Sequence, residues 1–575
     1  MKIGQNIIRL RGALPPHEAL LTALVMIPFV IVCLSAVGFV FQIPVQAWYF
    51  PLSFCIGCAS LIWFSQETRF RGVILLTCIF LVAFLFSSLQ VILPPGDGQY
   101  CHYPAVSLLS KGWNPWLQTE WEDVARLSPG SAYWHIAYTP HAGWICGAAL
   151  AKLFGYVAIA DSWSCWAAIL GILSLQTFLS QFEFMSRWTR WLYSLGMFFT
   201  PTVGWYWFTG TFDIAWYGLF LAVIVGVDLF VRVKSARLLP LVLMATVLLC
   251  GIKATGVASG LVLFGVYGVY SLICLRSLKV MIVGLLALVL VPLANPAPYV
   301  TNSINHGSPF YPAHSFDKNE KLPGDKLTWD FSQMNDDAKA LGYWGRLCYA
   351  WISQDAVKAV HRKLSGKPNF EPETMVDVGG FGGLFRFFVV TALLLWPFVR
   401  NRSVNLVAIM LVVTVMIQPT YFSGYARYVN QFYLFPWLIL LGFVNQYWQK
   451  IPKLVYAGWL WGMMPLVLLY RPLHRFPTFW LMNYQAHHLL QALRGAGRGR
   501  VYVVAKSAYH QNLFNDEWRI PFKSISSLDE IPSGLMEAGV YGQRFSIWTD
   551  LHVDSSCCDR TLIPHWDFQK GMRGM

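Results

Sequence analysis

The stretch PPGDGQYCHYPAVSLLSKGWNPW, residues 94–116, sets one carboxylate, Asp97, directly after an apolar run at 72–93. A carboxylate at the edge of hydrocarbon stays ionised only where water or a cation compensates its lost hydration. A helix-end acid facing water meets that condition without any function. Its neighbours give a second reading. Gly96 and Gly98 let a ligand approach the backbone closely. Gln99, Tyr100, His102 and Tyr103 supply donors and aromatic faces, and Trp113, Asn114 and Trp116 repeat the mix. Aromatic platforms with amide and carboxylate partners suit sugar rings. The tryptophans alone fit an interfacial aromatic belt equally well.

The elements that must position these residues are membrane helices. The chain has 575 residues, is 56% hydrophobic and only 13% charged, against about 25% charged in an ordinary soluble domain. Apolar runs recur at roughly 19–41, 48–65, 72–93, 140–158, 163–182, 191–209, 213–231, 238–252, 255–275, 279–296, 384–399, 404–421, 429–447 and 454–470. Most are long enough to cross a hydrocarbon layer of about 30 Å as helices. They are continuous rather than alternating, which excludes a β-barrel. The expected fold is an all-α polytopic membrane protein of about 13 transmembrane helices.

The net charge of +14 does not point to nucleic acid, because the Lys and Arg gather in short loops between apolar runs, as the positive-inside rule expects. Lys2, Arg9 and Arg11 place the N-terminus in the cytoplasm as the tail of a retained helix. Arg69 and Arg71 place the loop before residue 72 there too, so Asp97 falls on the outer face. Arg187, Arg232, Arg276, Arg400 and Lys450 mark further cytoplasmic loops. One conflict remains. Two apolar runs lie between residue 139 outside and Arg187 inside, where an odd number of crossings is needed, so either 140–158 is re-entrant or one charge assignment fails. The cysteines lie mostly inside apolar runs and act there as small hydrophobes. Cys101, Cys348, Cys557 and Cys558 fall outside them, unpaired by sequence alone. The chain divides into 1–71, a cytoplasmic tail and helix pair; 72–470, a membrane domain with outer loops 94–139 and 297–383; and 471–575, an extracytoplasmic domain. The strand-like VYVVA at 501–505 suggests that this last part is a small α/β region.

GDGQYCHYPAVSLLSKGWNP resembles the first outer loop of the GT-C class of membrane glycosyltransferases, which includes protein O-mannosyltransferases and lipid A aminoarabinose transferases. Further stretches agree with that class in order: TPHAGWICGAALAKLFG (139–155), WFTGTFDIAWYGLFLA (207–222), GIKATGV (251–257), NSINHGSPFYPAHSF (302–316) and SGYARYVNQFYLFPWLILLG (423–442). Ser308 stands where the class usually has Asn. The resemblance spans roughly 72–445.

That resemblance implies a polyprenyl-phosphate sugar donor, a glycan, lipid or protein acceptor, and an active site on the extracytoplasmic face of the inner (plasma) membrane. It assigns Asp97 as general base toward the acceptor hydroxyl, and cations to hold the charge gathering on the lipid phosphate. Lys253 and Arg427, with Tyr428 beside it, are the phosphate candidates; snorkelling to the interface is the plain alternative for each cation. Asp213 pairs with one of these cations or orients the acceptor, unless it is simply an acid favoured by a helix N-terminus. His306 and Tyr311 are pocket candidates, Tyr103 is a substrate-binding candidate, and His102 is either a partner of Asp97 or a stacked interfacial histidine. Many members of the class carry paired acids or a metal site. Here Gly98 follows Asp97, and the next acids lie in TEWED (119–123), so a divalent cation on Glu122 and Asp123 lacks a third oxygen ligand. The TEWED acids otherwise read as a solvated loop face.

Three other readings share these features. A transporter or flippase would show internal repeats and helices broken at mid-depth, and neither is visible. A lipid-diphosphate-dependent ligase or polymerase would carry Arg and His in a large outer loop, as Arg346, His361 and Arg362 do. A non-catalytic assembly scaffold is the third.

Overall fold

The computed structural model describes residues 16–64, 69–88, 98–128, 133–200, 203, 212–311, 385–417 and 429–450. In the tail it describes 487, 490, 491, 493, 494, 501–505, 519–525, 530, 532, 535–540 and 545–549. Among the described residues the regular elements of the membrane part are helices: α1 (Pro16–Val40), α2 (Tyr49–Phe64), α3 (Arg69–Ser88), α4 (Tyr103–Lys111), α5 (Trp121–Leu127), α6 (Tyr133–Tyr138), α7 (Ala142–Phe154), α8 (Ser162–Leu179) and α9 (Arg187–Phe198). It continues with α10 (Asp213–Val233), α11 (Leu239–Ile252), α12 (Thr255–Leu275), α13 (Lys279–Ala294), α14 (Pro296–His306), α15 (Phe385–Leu395), α16 (Arg402–Ile417) and α17 (Leu434–Tyr447). Among the described residues five helices are long and apolar enough to cross a membrane, or six if the bent pair α13–α14 is one span.

Helix α10 is the axis of the bundle. It packs along α8 so closely that a Cβ on Gly218 would lie 2.1 Å from the carbonyl oxygen of Ala167, and one on Gly171 3.2 Å from the Gly218 Cα. Small residues let membrane helices meet backbone to backbone, where packing rather than the hydrophobic effect holds them. Helix α1 packs against α11 and α7 within the same bundle.

The course of the chain between residues 139 and 187 bears on the crossing conflict. Helices α1, α2 and α3 run up, down and up, so the C-terminal ends of α1 and α3 share one end of the bundle, called here the loop end. The start of α8 lies there too: Ser162 Oγ donates to Ser87 Oγ at 3.1 Å, and Trp163 meets Phe50 edge-on at 6.3 Å. Helix α7 also starts and finishes at that end. Ala142 sits against Gly251 at the end of α11, and Phe154 packs on Phe84 near the end of α3 at 5.1 Å. Its 13 residues span only about 20 Å, too short for a bilayer core. Helix α7 thus returns to the end it starts from, and α8 runs from the loop end through the bundle.

Helix α14 is the other departure from a simple bundle. An 80° bend separates it from α13, with Asn295 between the two helices and Ala297 held at φ −94°, ψ 129°. Instead of continuing away from the bundle, α14 lies flat across the loop end.

The described tail residues form a four-stranded sheet in the order β2 (Lys523–Ile525), β1 (Val501–Ala505), β4 (Phe545–Thr549), β3 (Met536–Val540). Strand β1 pairs parallel with β2 and antiparallel with β4. The residues read as strand-like at 501–505 are β1.

Candidate functional site

Asp97, Arg427 and Tyr428 lie outside the described residues. The other candidates, His102, Tyr103, Asp213, Lys253, His306 and Tyr311, all sit at the loop end, in two groups.

The first group surrounds an ion pair. Asp213 is the first residue of α10, where the N-terminal end of the helix dipole favours an anion. Lys253 is the residue after α11, in extended conformation (φ −145°, ψ 142°), before the chain turns into α12. Its Nζ donates to Asp213 Oδ1. The Asp213 side chain is 5% exposed and that of Lys253 24%. The partnership joins residues forty positions apart on two helices, and it is the cation–acid pairing that the sequence allowed for Asp213.

Aromatic side chains wall this pair. The residue before Asp213, Phe212, meets the His102 ring edge-on at 5.4 Å. His102 Nδ1 accepts from Trp144 Nε1 at 2.8 Å, which leaves the proton of a neutral imidazole on Nε2. Tyr103, directly behind it, is buried in the core. On the other side of Phe212 lies a narrow apolar crevice. Phe212 and Ile252, the residues preceding each member of the ion pair, line it together with Gly143, Trp163 and Trp166. Gly143 is required there, because a Cβ would approach the Phe212 ring to 3.0 Å.

The second group centres on Glu120, an acid that the sequence placed on a solvated loop face. Its Oε2 accepts from Tyr138 Oη at 3.1 Å and lies 3.5 Å from His306 Nε2. Its Oε1 accepts from Asn305 Nδ2 at 2.9 Å and from Thr119 Oγ1 at 3.3 Å. His306 stacks on Tyr311 with ring centroids 3.8 Å apart and planes 7° from parallel, and Tyr138 meets both rings edge-on. Burial and the adjacent Glu120 charge push the Tyr138 hydroxyl far above its ordinary pKa, so it remains a donor at any working pH. Asn302 Nδ2 adds bonds to the carbonyls of Tyr138 (3.3 Å) and Tyr311 (3.0 Å).

His141 connects the groups. Nε2 lies 2.9 Å from the carbonyl of Ile136 and Nδ1 3.2 Å from that of Ala297 in α14, while its ring packs on Trp113 and Trp144. Burial lowers its pKa to about 4, against the pull of the two carbonyls. It is neutral in neutral solution.

Asp123 is ion-paired with Arg126, and among the described residues no three His, Cys, Asp or Glu side chains converge on one point. The third ligand that Glu122 and Asp123 would need is therefore not supplied by the described residues.

Sequence reasoning missed Glu120, Tyr138, His141 and Trp144. The signal for two of them was present: His141 and Trp144 lie in TPHAGWICGAALAKLFG, which was quoted for its order in the chain and not for its side chains. Glu120 had no local signal, since its partners stand 18 and 185 residues away. No family model matches the chain, and neither a curated protein nor a solved structure does.

Proposed function

We propose that the chain is a polytopic membrane glycosyltransferase that moves a hexosyl or pentosyl unit from a polyprenyl-phosphate donor to a glycan, lipid or protein acceptor, on the extracytoplasmic face. The observation that carries this reading is the placement of the Lys253–Asp213 pair. A cation fixed on a helix-end acid stands beside an apolar crevice and an aromatic wall, all at one end of a helix bundle. A cation at the end of an apolar bundle suits the anionic head of a membrane lipid; the crevice, about 20 Å³, takes no lipid chain itself. Intramembrane charges in a transport path would instead be expected near mid-depth.

In this reading Asp97 takes the proton of the acceptor hydroxyl as its oxygen attacks the anomeric carbon. The bond from that carbon to the phosphate oxygen breaks, and its electron pair leaves on the lipid monophosphate. Lys253, with Arg427, neutralises the charge that accumulates there. Asp213 anchors the Lys253 ammonium, and an arriving phosphate competes for it. Trp144 holds His102 in one tautomer beside Phe212. Glu120, Tyr138, His306 and Tyr311 shape the acceptor side.

Transfer by purified protein from a polyprenyl-phosphate sugar tests the proposal. Asp97→Asn is expected to abolish transfer while donor binding and expression stay at wild-type level. Full activity in that variant would remove Asp97 from the mechanism.

A further inference from the structure

At the end of the bundle opposite the loop end, the cations are not all matched. Arg232 pairs with Asp228 there, whereas Arg187 and Arg190 take part in none of the ion pairs among the described residues. Both stand in the first turn of α9, whose start is fixed by its cap: Ser186 Oγ accepts from the Thr189 N–H at 3.1 Å. Three positions apart, they are neighbours on the helix surface, at the terminus whose dipole disfavours a cation. Their charges also act on His17, in the first turn of α1. A second helix N-terminus thus adds its positive end to the same place. Of the nearby acids, Glu18 is buried and Glu183 exposed, and neither pairs with these arginines. Arg190 Nε is buried without an acceptor, and such an unbonded donor costs more than a bond made there would contribute.

The apolar side of α9 supplies the other half of an amphiphile's surroundings. Trp188, between the two arginines, is 79% exposed. Leu192 and Leu195 continue its face along the helix, both half-buried. The 12 residues of α9 cover about 18 Å, little more than one leaflet's share of the hydrocarbon. Cations at the rim with an indole and leucines behind them follow the order of headgroup and chain in a leaflet. We propose that Arg187 and Arg190, with His17 beside them, hold the phosphate of an anionic membrane phospholipid whose chains lie along Trp188, Leu192 and Leu195. The planar Arg190 guanidinium, Nε included, donates to the phosphate oxygens as a fork. This site is across the bundle from Lys253, so it stands or falls apart from the glycosyltransferase reading.

Photolabelling of the full chain in nanodiscs tests the site. Phosphatidylglycerol carrying a diazirine in its acyl chain is expected to label residues 187–195 about fivefold or more above the matching phosphatidylcholine, the preference that one or two interfacial arginines supply. Arg187→Gln with Arg190→Gln should erase that preference. Arg187→Lys with Arg190→Lys keeps the charge but loses the fork, and should lose most of it. Excess inorganic phosphate should leave the labelling unchanged, because it brings no chain to the α9 face.

Equal labelling of the wild type by the two lipids overturns the proposal, as does a preference that survives the glutamine changes. A preference fully kept by the lysine variant overturns it too, since any basic surface would then suffice. Loss of labelling in inorganic phosphate assigns the arginines to a free anion and overturns the lipid. Arg187 is exposed, so Arg187→Gln alone carries the test if the double variant fails to fold: a reduced preference supports the site, and an unchanged one overturns it.

Discussion

Helix α10 carries an acid–base pair at each end, and the two pairs are built differently. At the loop end, Asp213 meets Lys253 across forty residues and two helices. At the opposite end, Asp228 accepts from Arg232 Nε at 2.7 Å, an i,i+4 contact within a single helix. Tyr267 Oη reaches the same Asp228 carboxylate at 3.4 Å, and Ser403 hydrogen-bonds it from α16. The Asp228 side chain is 1% exposed and its bonds go to α12 and α16, so the pair ties three helices together. Around Asp213 and Lys253 the neighbours are aromatic rings and an apolar crevice. The same two charges thus serve as a rivet at one end and, in the proposed reading, as a receptor for an anionic head at the other. Surroundings decide the role, not the pair.

Four perturbations break or sharpen that contrast. The largest effect is expected at the loop end. Lys253→Met should lower transfer per folded molecule by about a hundredfold or more, the scale lost with one charge-stabilising donor, and because it leaves the 5% exposed Asp213 carboxylate without its cation it should cost stability as well. Arg232→Met should cost stability alone. It leaves a buried carboxylate short of its cation, costing on the order of 1–3 kcal/mol of stability once Tyr267 and Ser403 are counted. Transfer per folded molecule should change less than about twofold. If both variants lose transfer equally, the contrast fails.

Between the pairs, Gly218→Val should reduce folded yield. Its first added carbon already collides with the Ala167 carbonyl, and the following branches force α8 and α10 apart. The last effect is in pH and is read on stability alone. His141 has a folded pKa of about 4 against 6.5 in the unfolded chain. Its contribution is therefore fully present above pH 6.5 and is lost as pH falls toward 4. Thermal unfolding between those limits should show a decline of up to about 3 kcal/mol, and His141→Phe should flatten it. A decline unchanged in that variant assigns the pH dependence elsewhere.

These contrasts also show how far the residues alone could lead. Apolar runs read at 213–231, 255–275 and 279–296 are the helices Asp213–Val233, Thr255–Leu275 and Lys279–Ala294. Continuous apolarity bounded by charge has few other solutions in a membrane. The return of α7 to the loop end surfaced in the sequence only as a conflict of parity, since length and charge count crossings but do not give direction. Asp213 and Lys253 were legible one by one, as charges at the ends of runs. Their pairing was not, because nothing local records which helix ends meet. The contacts of Glu120 were hidden for the same reason: TEWED is polar like any loop and its acid stays 39% exposed, while Tyr138, Asn305 and His306, which meet its oxygens, stand far along the chain.

The central claim is that the loop end binds a lipid monophosphate through Lys253. Mass analysis of the lipids that copurify with wild-type and Lys253→Met protein tests it most directly. The account predicts a polyprenyl monophosphate, bare or glycosylated, on the wild type and its depletion from the variant. A polyprenyl diphosphate, or a monophosphate retained equally by both proteins, would contradict it.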